Sequence, residues 1–277
     1  MRPIDRALWY IESHYREPIA LDELADVAGV SRYHLSRSFC YAVGLPASRY
    51  LRLRRLSLAA IALANGEPDI LDLALSLGYG SHEAFARAFK EAFARTPEQV
   101  RRAGHTENLK LLEAMLMNES LLSDLEAPNL THSEPRSLIG RSKTYTFAGA
   151  AEIPGQWQAF APHVGTIAGR IDTATYGVIH AGTDEGYDYL SGVAVAARTP
   201  APDGMIRLDL PAQTYAVFRH PGHVSEIRRV CNTIWSEWLP ESGYQAVEAP
   251  WFERYPPPFD PQTGAGGFEI WIPVDGG

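Results

Sequence analysis

The sequence predicts a multi-domain chain: an all-α double helix-turn-helix domain, then an α+β domain with an antiparallel sheet and two helices. Three observations predict it. Apolar residues recur at helical spacing as far as Arg102, and β-favouring stretches appear only after Asn129. Each half contains an internal repeat. Charge divides at the same place: residues 1–105 hold 14 Lys+Arg against 12 Asp+Glu, and residues 106–277 hold 11 against 21.

A length of 277 residues fits two domains. With 45% apolar and 21% charged residues, collagen-like, low-complexity and wholly disordered chains are excluded. No apolar run approaches the roughly 18 residues that span a bilayer. The opening MRPIDRALWY lacks the apolar core of a secretory signal. Cys40 and Cys231 are the two cysteines, so a reducing, cytoplasmic setting is expected. The charge split suggests an anionic partner for the front and a neutral or cationic one for the back.

The front domain, residues 1–105, reads as about seven helices. Leu8, Ile11 and Tyr15 form one stripe, and Leu21, Leu24, Ala25 and Ala28 another. Tyr50, Leu51, Leu53, Leu56, Leu58, Ile61 and Leu63 line a long helix. Gly29, Gly44, Gly66 and Gly78 punctuate the segments, with Pro46, Pro68 and Pro97 near other starts. LDELADVAGVSRYHLSRSF (21–39) resembles ILDLALSLGYGSHEAFARAF (70–89): a short helix, a Gly turn, then a helix opened by Ser. Ser31 and Ser81 are N-cap candidates. Gly29 and Gly78 suit the left-handed conformation that ends a helix sharply. Leu35, Phe39, Phe85 and Phe89 read as core, and Cys40 as a buried apolar residue.

Two matched helix-turn-helix units joined by a long helix, about Ala47 to Asn65, resemble the AraC/XylS-type DNA-binding domain over residues 3–103. FKEAFARTPEQVRR (89–102) resembles that family's closing signature. The resemblance implies double-stranded DNA as a partner; RNA polymerase is a candidate second, and a monomer or weak homodimer is expected. Recognition helices place residues near their N-termini in the major groove. The expected readers are Ser31, Arg32, Tyr33, Ser36 and Arg37 in the first unit, and Ser81, His82, Glu83 and Arg87 in the second. Arg binds guanine bidentately, and Glu83 could accept from cytosine N4. Family members more often carry amides near His82 and Glu83, so weaker or different base reading is expected there. Arg49, Arg52, Arg54 and Arg55 offer phosphate contacts or solvate the long helix.

Residues 106–127 read as a linker. Leu109, Leu112, Met115 and Leu116, continued by Leu121, Leu122 and Leu125, could share a helical face. A connecting helix packed on either domain is expected; a self-association helix is the alternative.

The back domain, residues 128–277, carries SLIGRSKTYTF, a helix near Trp157, TYGVIHA and YLSGVAVAA. TYAVFRH, a helix near Trp235, APWFERY and FEIWIPV echo them. This is a duplicated strand-helix-strand-strand plan. These segments resemble the GyrI-like (BmrR-type) effector-binding domain over roughly 129–274, most clearly in PWFERY followed by GGFEIWIPV. The resemblance implies a small-molecule effector, with Glu253 at the base of a groove that receives hydrophobic, aromatic cations. The residues agree. Strand alternation puts Trp251, Glu253 and Tyr255 on one face, and Glu269 with Trp271 on one face. A carboxylate among aromatics holds a cation by charge and by cation–π attraction. Tyr145 and Trp157, with Tyr187, Tyr189 and Trp235, are candidate walls. One of Glu253 and Glu269 could instead pair with Arg254, Arg219 or Arg228, because an unpaired buried carboxylate is costly.

No catalytic residue, cofactor or metal site is expected. G-x-S-x-G, H-E-x-x-H and C-x-x-C are absent, and TGAGGF (263–268) lacks phosphate-cradle spacing. His220 and His223 flank a turn with no third ligand evident. A ligand-responsive, DNA-binding transcriptional regulator is the expectation. The rivals for the back domain are a hydrolase of electrophilic toxins, with Glu253 and Tyr255 activating water, and a protein-binding module.

Overall fold

The computed structural model describes residues 2–67, 69–114, 121–122, 124–146, 152–183 and 186–276. It divides into two compact units, residues 1–39 with 45–118, and residues 40–44 with 119–277.

Helices build the front part of the chain: α1 (Pro3–His14), α2 (Leu21–Ala28), α3 (Arg32–Val43), α4 (Ala47–Ala64), α5 (Ile70–Ser76), α6 (His82–Phe93) and α7 (Pro97–Ala103). The repeat is a repeat of structure. Gly29 and Gly78 stand at φ +72° and +79° after α2 and α5, a conformation that side-chain-bearing residues adopt at a cost. Ser31 Oγ accepts from the His34 amide and Ser81 Oγ from the Ala84 amide, each at 3.2 Å. Leu35, Phe39, Phe85 and Phe89 are fully buried.

Two of the four arginines on α4, Arg54 and Arg55, are committed to the protein. Arg54 is buried and makes a two-pronged pair with Glu12, at 2.8 and 2.7 Å. Its third nitrogen donates to the Leu112 carbonyl at 2.7 Å. Arg55 donates to the carbonyls of Tyr15 and Glu17, both at 2.6 Å. Arg52 pairs with Glu91 at 2.9 Å, and Arg49 is exposed. Burial pushes the Glu12 carboxyl up, but hydrogen bonds from Arg54 and Tyr50 outweigh it and hold it below the usual range.

The expected connecting helix is corrected where it can be seen. Residues 105–114 carry no helix. The chain runs as a strap: Leu109 and Leu111 pack on the core of α4–α7, and the Leu112 amide donates to Ser57 Oγ at 2.8 Å. Backbone–side-chain bonds to α4 replace the intrahelical ones that leucine spacing alone suggested. Met115 and Leu116, part of the expected face, lie outside the described residues.

The back part contains β1 (Asn129–Ser133), β2 (Arg136–Thr146), α8 (Ile153–Phe160), β3 (Thr175–Gly182), β4 (Gly186–Val195), β5 (Ile206–Leu210), β6 (Gln213–His220), α9 (Ile227–Thr233), β7 (Gln245–Ala246), β8 (Trp251–Tyr255) and β9 (Phe268–Asp275). After α9 the chain continues as a π-helical turn, Ile234–Trp238. The antiparallel strands run β1-β6-β9-β8-β3-β4-β2-β5, and β7 pairs with β9. The duplication is visible in that order: β2-β4-β3 on one side mirrors β6-β9-β8 on the other, and β3 pairs with β8 at the centre. β1, β5 and β7 are additions the sequence echo did not contain.

Register assigns the faces. Gly177 lies opposite Glu253, which lies opposite Ile270, which lies opposite Phe218. Cross-strand partners share a face. Both helical stretches cover this face, since Phe160 packs with Ile139 and Val193, and Trp238 and Trp235 meet Phe218 and Trp251. Tyr176, Phe252, Tyr215 and Trp271 pack together on the opposite face.

Candidate functional site

At the DNA-facing candidates, equivalent positions in the two repeats diverge. Arg32 is exposed and stands 3.7 Å from Asp22. Tyr33 and Ser36 are half-buried. Arg37, expected to be exposed, is 9% exposed and stacks over the Tyr33 ring at 5.4 Å. That expectation is corrected: a guanidinium held over a ring and largely buried is not presented to a groove as it stands. Its counterpart Arg87 is exposed. His82 reaches Glu98 at 3.3 Å. Glu83 is exposed, and hydrogen bonds to its own amide and to Ser81 hold its carboxyl below the usual range. Ser81 caps α6, and Glu83 stands in its first turn, at the end where a helix favours negative charge.

The sheet builds the second site around Glu253 on β8, one of the two central strands. Its neighbours on the same face, Trp251 and Tyr255, are 1% and 6% exposed, while Glu253 itself is half-buried. Tyr189 on β4 donates to Glu253 Oε2 at 2.7 Å, and Tyr255 donates to the same oxygen at 2.8 Å. Trp157 on α8 donates its indole N–H to the Tyr189 hydroxyl at 3.0 Å and meets the Tyr255 ring edge-on at 5.6 Å. Tyr145 stands edge-on to Tyr189 at 6.4 Å. Trp251 Nε1 is a buried donor without a partner among the described residues.

Two residues that the sequence did not single out complete the geometry. Gly177 faces Glu253 across β3 and β8, and a Cβ there would overlap the Tyr189 hydroxyl and the Glu253 carboxylate. A glycine inside a strand signals such close approach. Gln156 on α8 accepts from the Tyr145 hydroxyl at 2.8 Å and donates to the Arg141 carbonyl at 2.9 Å. It pins the helix that carries Trp157, and no sequence pattern marks it.

Burial pushes the Glu253 carboxyl up to about 7, against the downward pull of the two phenols. Its neighbours desolvate the charged form although part of the residue's surface stays accessible. Burial, and then the charge of Glu253, raise Tyr189 and Tyr255 well above the usual phenol range.

Glu269 and Trp271 are not part of this arrangement. Arg254 lies opposite Glu269, and Phe252 opposite Trp271, on the other face. There Arg254 donates to Glu269 at 3.0 Å, Arg219 approaches it at 3.4 Å, and the Trp271 indole donates to it at 3.0 Å. Of the two glutamates, Glu269 is the one with arginine partners. Strand parity separates it from Glu253: neighbouring strands pair with residues 253 and 270 opposite, so 269 points the other way.

Among the described residues, no group of three or more His, Cys, Asp or Glu could hold a metal ion, and no helix is long and apolar enough to cross a membrane.

A double helix-turn-helix domain joined to a sheet with an acid-based aromatic recess defines a DNA-binding transcriptional regulator with a small-molecule sensor. The chain belongs to the GyrI-like small-molecule-binding domain family, whose model matches residues 126–275; a helix-turn-helix domain model matches residues 24–103. The Right origin-binding protein of Escherichia coli K12 is 27% identical over 271 residues, covering 94% of this chain and 92% of that protein. Regulatory protein SoxS of Salmonella typhimurium is 37% identical over 98 residues, 35% of this chain and 92% of that one. The solved structure of SAV2435 bound to tetraphenylphosphonium is 21% identical, covers 55% of this chain and 95% of that chain, and has a TM-score of 0.46.

Proposed function

We propose that the effector is a hydrophobic cation, held by Glu253 among Trp157, Tyr189, Tyr255, Tyr145 and Trp251. One observation carries this reading: a recessed carboxylate whose hydrogen-bond partners are neutral phenols, with no Lys, Arg or His paired to it among the described residues. An incoming cation supplies the missing charge, and aromatic rings add cation–π attraction of about 0.5–2 kcal/mol each. The rings also favour flat or bulky apolar ligands.

For DNA, Arg32, Tyr33, Ser36 and Arg87 are the proposed readers, with Ser31 and Ser81 setting the helix starts. RNA polymerase is the proposed second partner, and the acting form is a monomer or weak homodimer in the cytoplasm. Residues 106–127 lie between domains 1–105 and 128–277, and their first part, as far as Leu112, is strapped to the front domain. The back domain senses its ligand without consuming it.

The test is calorimetric titration of a cationic ligand and its neutral isostere into the wild type and Glu253→Gln. The substitution keeps the shape and removes the charge, so the cation loses tenfold or more while the neutral ligand changes little. Equal losses would remove Glu253 as the charge partner. A carboxyl near 7 is also what a general base for hydrolysis requires. Consumption of the ligand by wild type and not by Glu253→Gln would establish the hydrolase instead.

A further inference from the structure

Glu253 has two carboxyl oxygens and uses one. Tyr189 and Tyr255 both donate to Oε2, and among the described residues no hydrogen bond or ion pair reaches Oε1. Among the described residues, the elements packed against it offer no compensating charge. Gly177 stands opposite on β3, Ile270 on β9, and Trp157 comes from α8. The titratable groups facing it are Tyr189 on β4, Tyr255 on β8 and Cys231 on α9. Burial and the charge of Glu253 raise all three well above their ordinary values, so all are neutral at pH 7. The arginine in the next position, Arg254, is turned to the other face and bound to Glu269.

This geometry accepts a proton without rearranging. When Oε1 is protonated, Oε2 becomes a carbonyl oxygen and still takes both phenol hydrogen bonds. The alternative, an ionised carboxylate with no counter-charge beside it, carries a desolvation penalty that the two phenols offset only in part. A cation approaching the open oxygen therefore meets an atom at which a proton can be held.

We propose that Oε1 of Glu253 is an exchangeable proton site, and that a permanently charged hydrophobic cation binds by displacing that proton to solvent. The exchange rests on Glu253 being the cation's partner. It balances simply: the O–H bond of the carboxylic acid breaks, the proton goes to water, and the carboxylate pairs with the cation. A carboxyl titrating near 7 puts the exchange in the physiological range. It also sorts ligand classes. A neutral amine takes the proton from Oε1 onto its own nitrogen and forms the same ion pair, so no proton leaves.

The sign follows from linkage. Binding requires the ionised form, which is scarce below the carboxyl's own value and dominant above it. Affinity for a permanent cation therefore rises about tenfold from pH 6 to pH 8 and levels off above. Proton release approaches one per cation at pH 6, is about one half at pH 7, and vanishes at high pH.

Tetraphenylphosphonium is a suitable probe because it has no titratable group. The full chain is titrated with it at pH 6, 7 and 8, each in two buffers of different ionisation enthalpy, and Glu253→Gln is titrated in parallel. Exchange is supported by a rising affinity and a buffer-dependent heat in the wild type, both absent in the Gln variant. Flat affinity and no proton release in the wild type, with Glu253→Gln still weakened, would overturn the exchange and leave Glu253 as the charge partner. A Gln variant with unchanged affinity would remove the cation reading itself. The same pH slope in both proteins would place the proton elsewhere.

Discussion

Arg37 and Arg87 occupy the same place in two copies of one pattern, yet only Arg87 is exposed. The sequence shows the repeat and cannot show the burial, because burial depends on what else folds onto a helix. The consequence is measurable. Arg87→Ala should weaken specific DNA binding by about 1–3 kcal/mol if its contact is bidentate to a base, with no change in thermal unfolding. Arg37→Ala should lower the unfolding temperature, since it removes a stacked, largely buried side chain, and should change base preference little. Competition binding across site variants at fixed salt, paired with thermal melts, separates the two. A loss of base preference in Arg37→Ala with an unchanged melt would return Arg37 to the interface. Glu253 and Glu269 pose the same problem in strands. Their aromatic neighbours look alike in sequence, and only the register of β8 against β9 puts one with arginines and the other with phenols.

At the scale of elements, the repeats were legible because they rest on local chemistry: capping serines, turn glycines and apolar spacing. The linker was less so. Leucine spacing in residues 109–125 fits a helix, but Ser57 and Arg54 on α4 claim the backbone of Leu112 instead, and tertiary bonds override local propensity. The central β3–β8 pair shows what strand packing demands. Gly177→Ala should crowd Tyr189 and Glu253, costing about 1–3 kcal/mol of stability and at least tenfold in cation affinity. Gly155→Ala is the matched control. It lies on α8 with nothing within 4 Å of a new Cβ, so binding should be unchanged and the helix about 0.5–1 kcal/mol more stable. Titration and thermal unfolding of both variants decide the matter. Cation affinity in Gly177→Ala equal to wild type would mean that the recess does not depend on the bare backbone there.

For the whole molecule, one chain carries two recognition helices, α3 and α6, and they are chemically unlike. A dimer of identical single units reads two like half-sites and so favours a palindrome. Here a single chain supplies both readers, so its site needs no palindrome and should be asymmetric. Its two contacted segments should lie in major grooves about one turn, roughly 34 Å, apart. The asymmetry should extend to information content. The start of α3 offers Arg32, Tyr33 and Ser36, whereas the start of α6 offers an acid, Glu83, and His82, which reaches Glu98. Arg87 is the one arginine on α6, and so its one side chain suited to bidentate reading of guanine. The segment under α6 should therefore tolerate substitution at more positions than the segment under α3. Arg54 and Arg55 should add little to the salt dependence, because they are held by protein groups and not offered to phosphates. Footprinting at high dilution, followed by selection from a randomised site, tests both statements. Two equally specified, inverted half-sites that are protected only at concentrations where the chain dimerises would contradict the single-chain reading and turn attention to self-association.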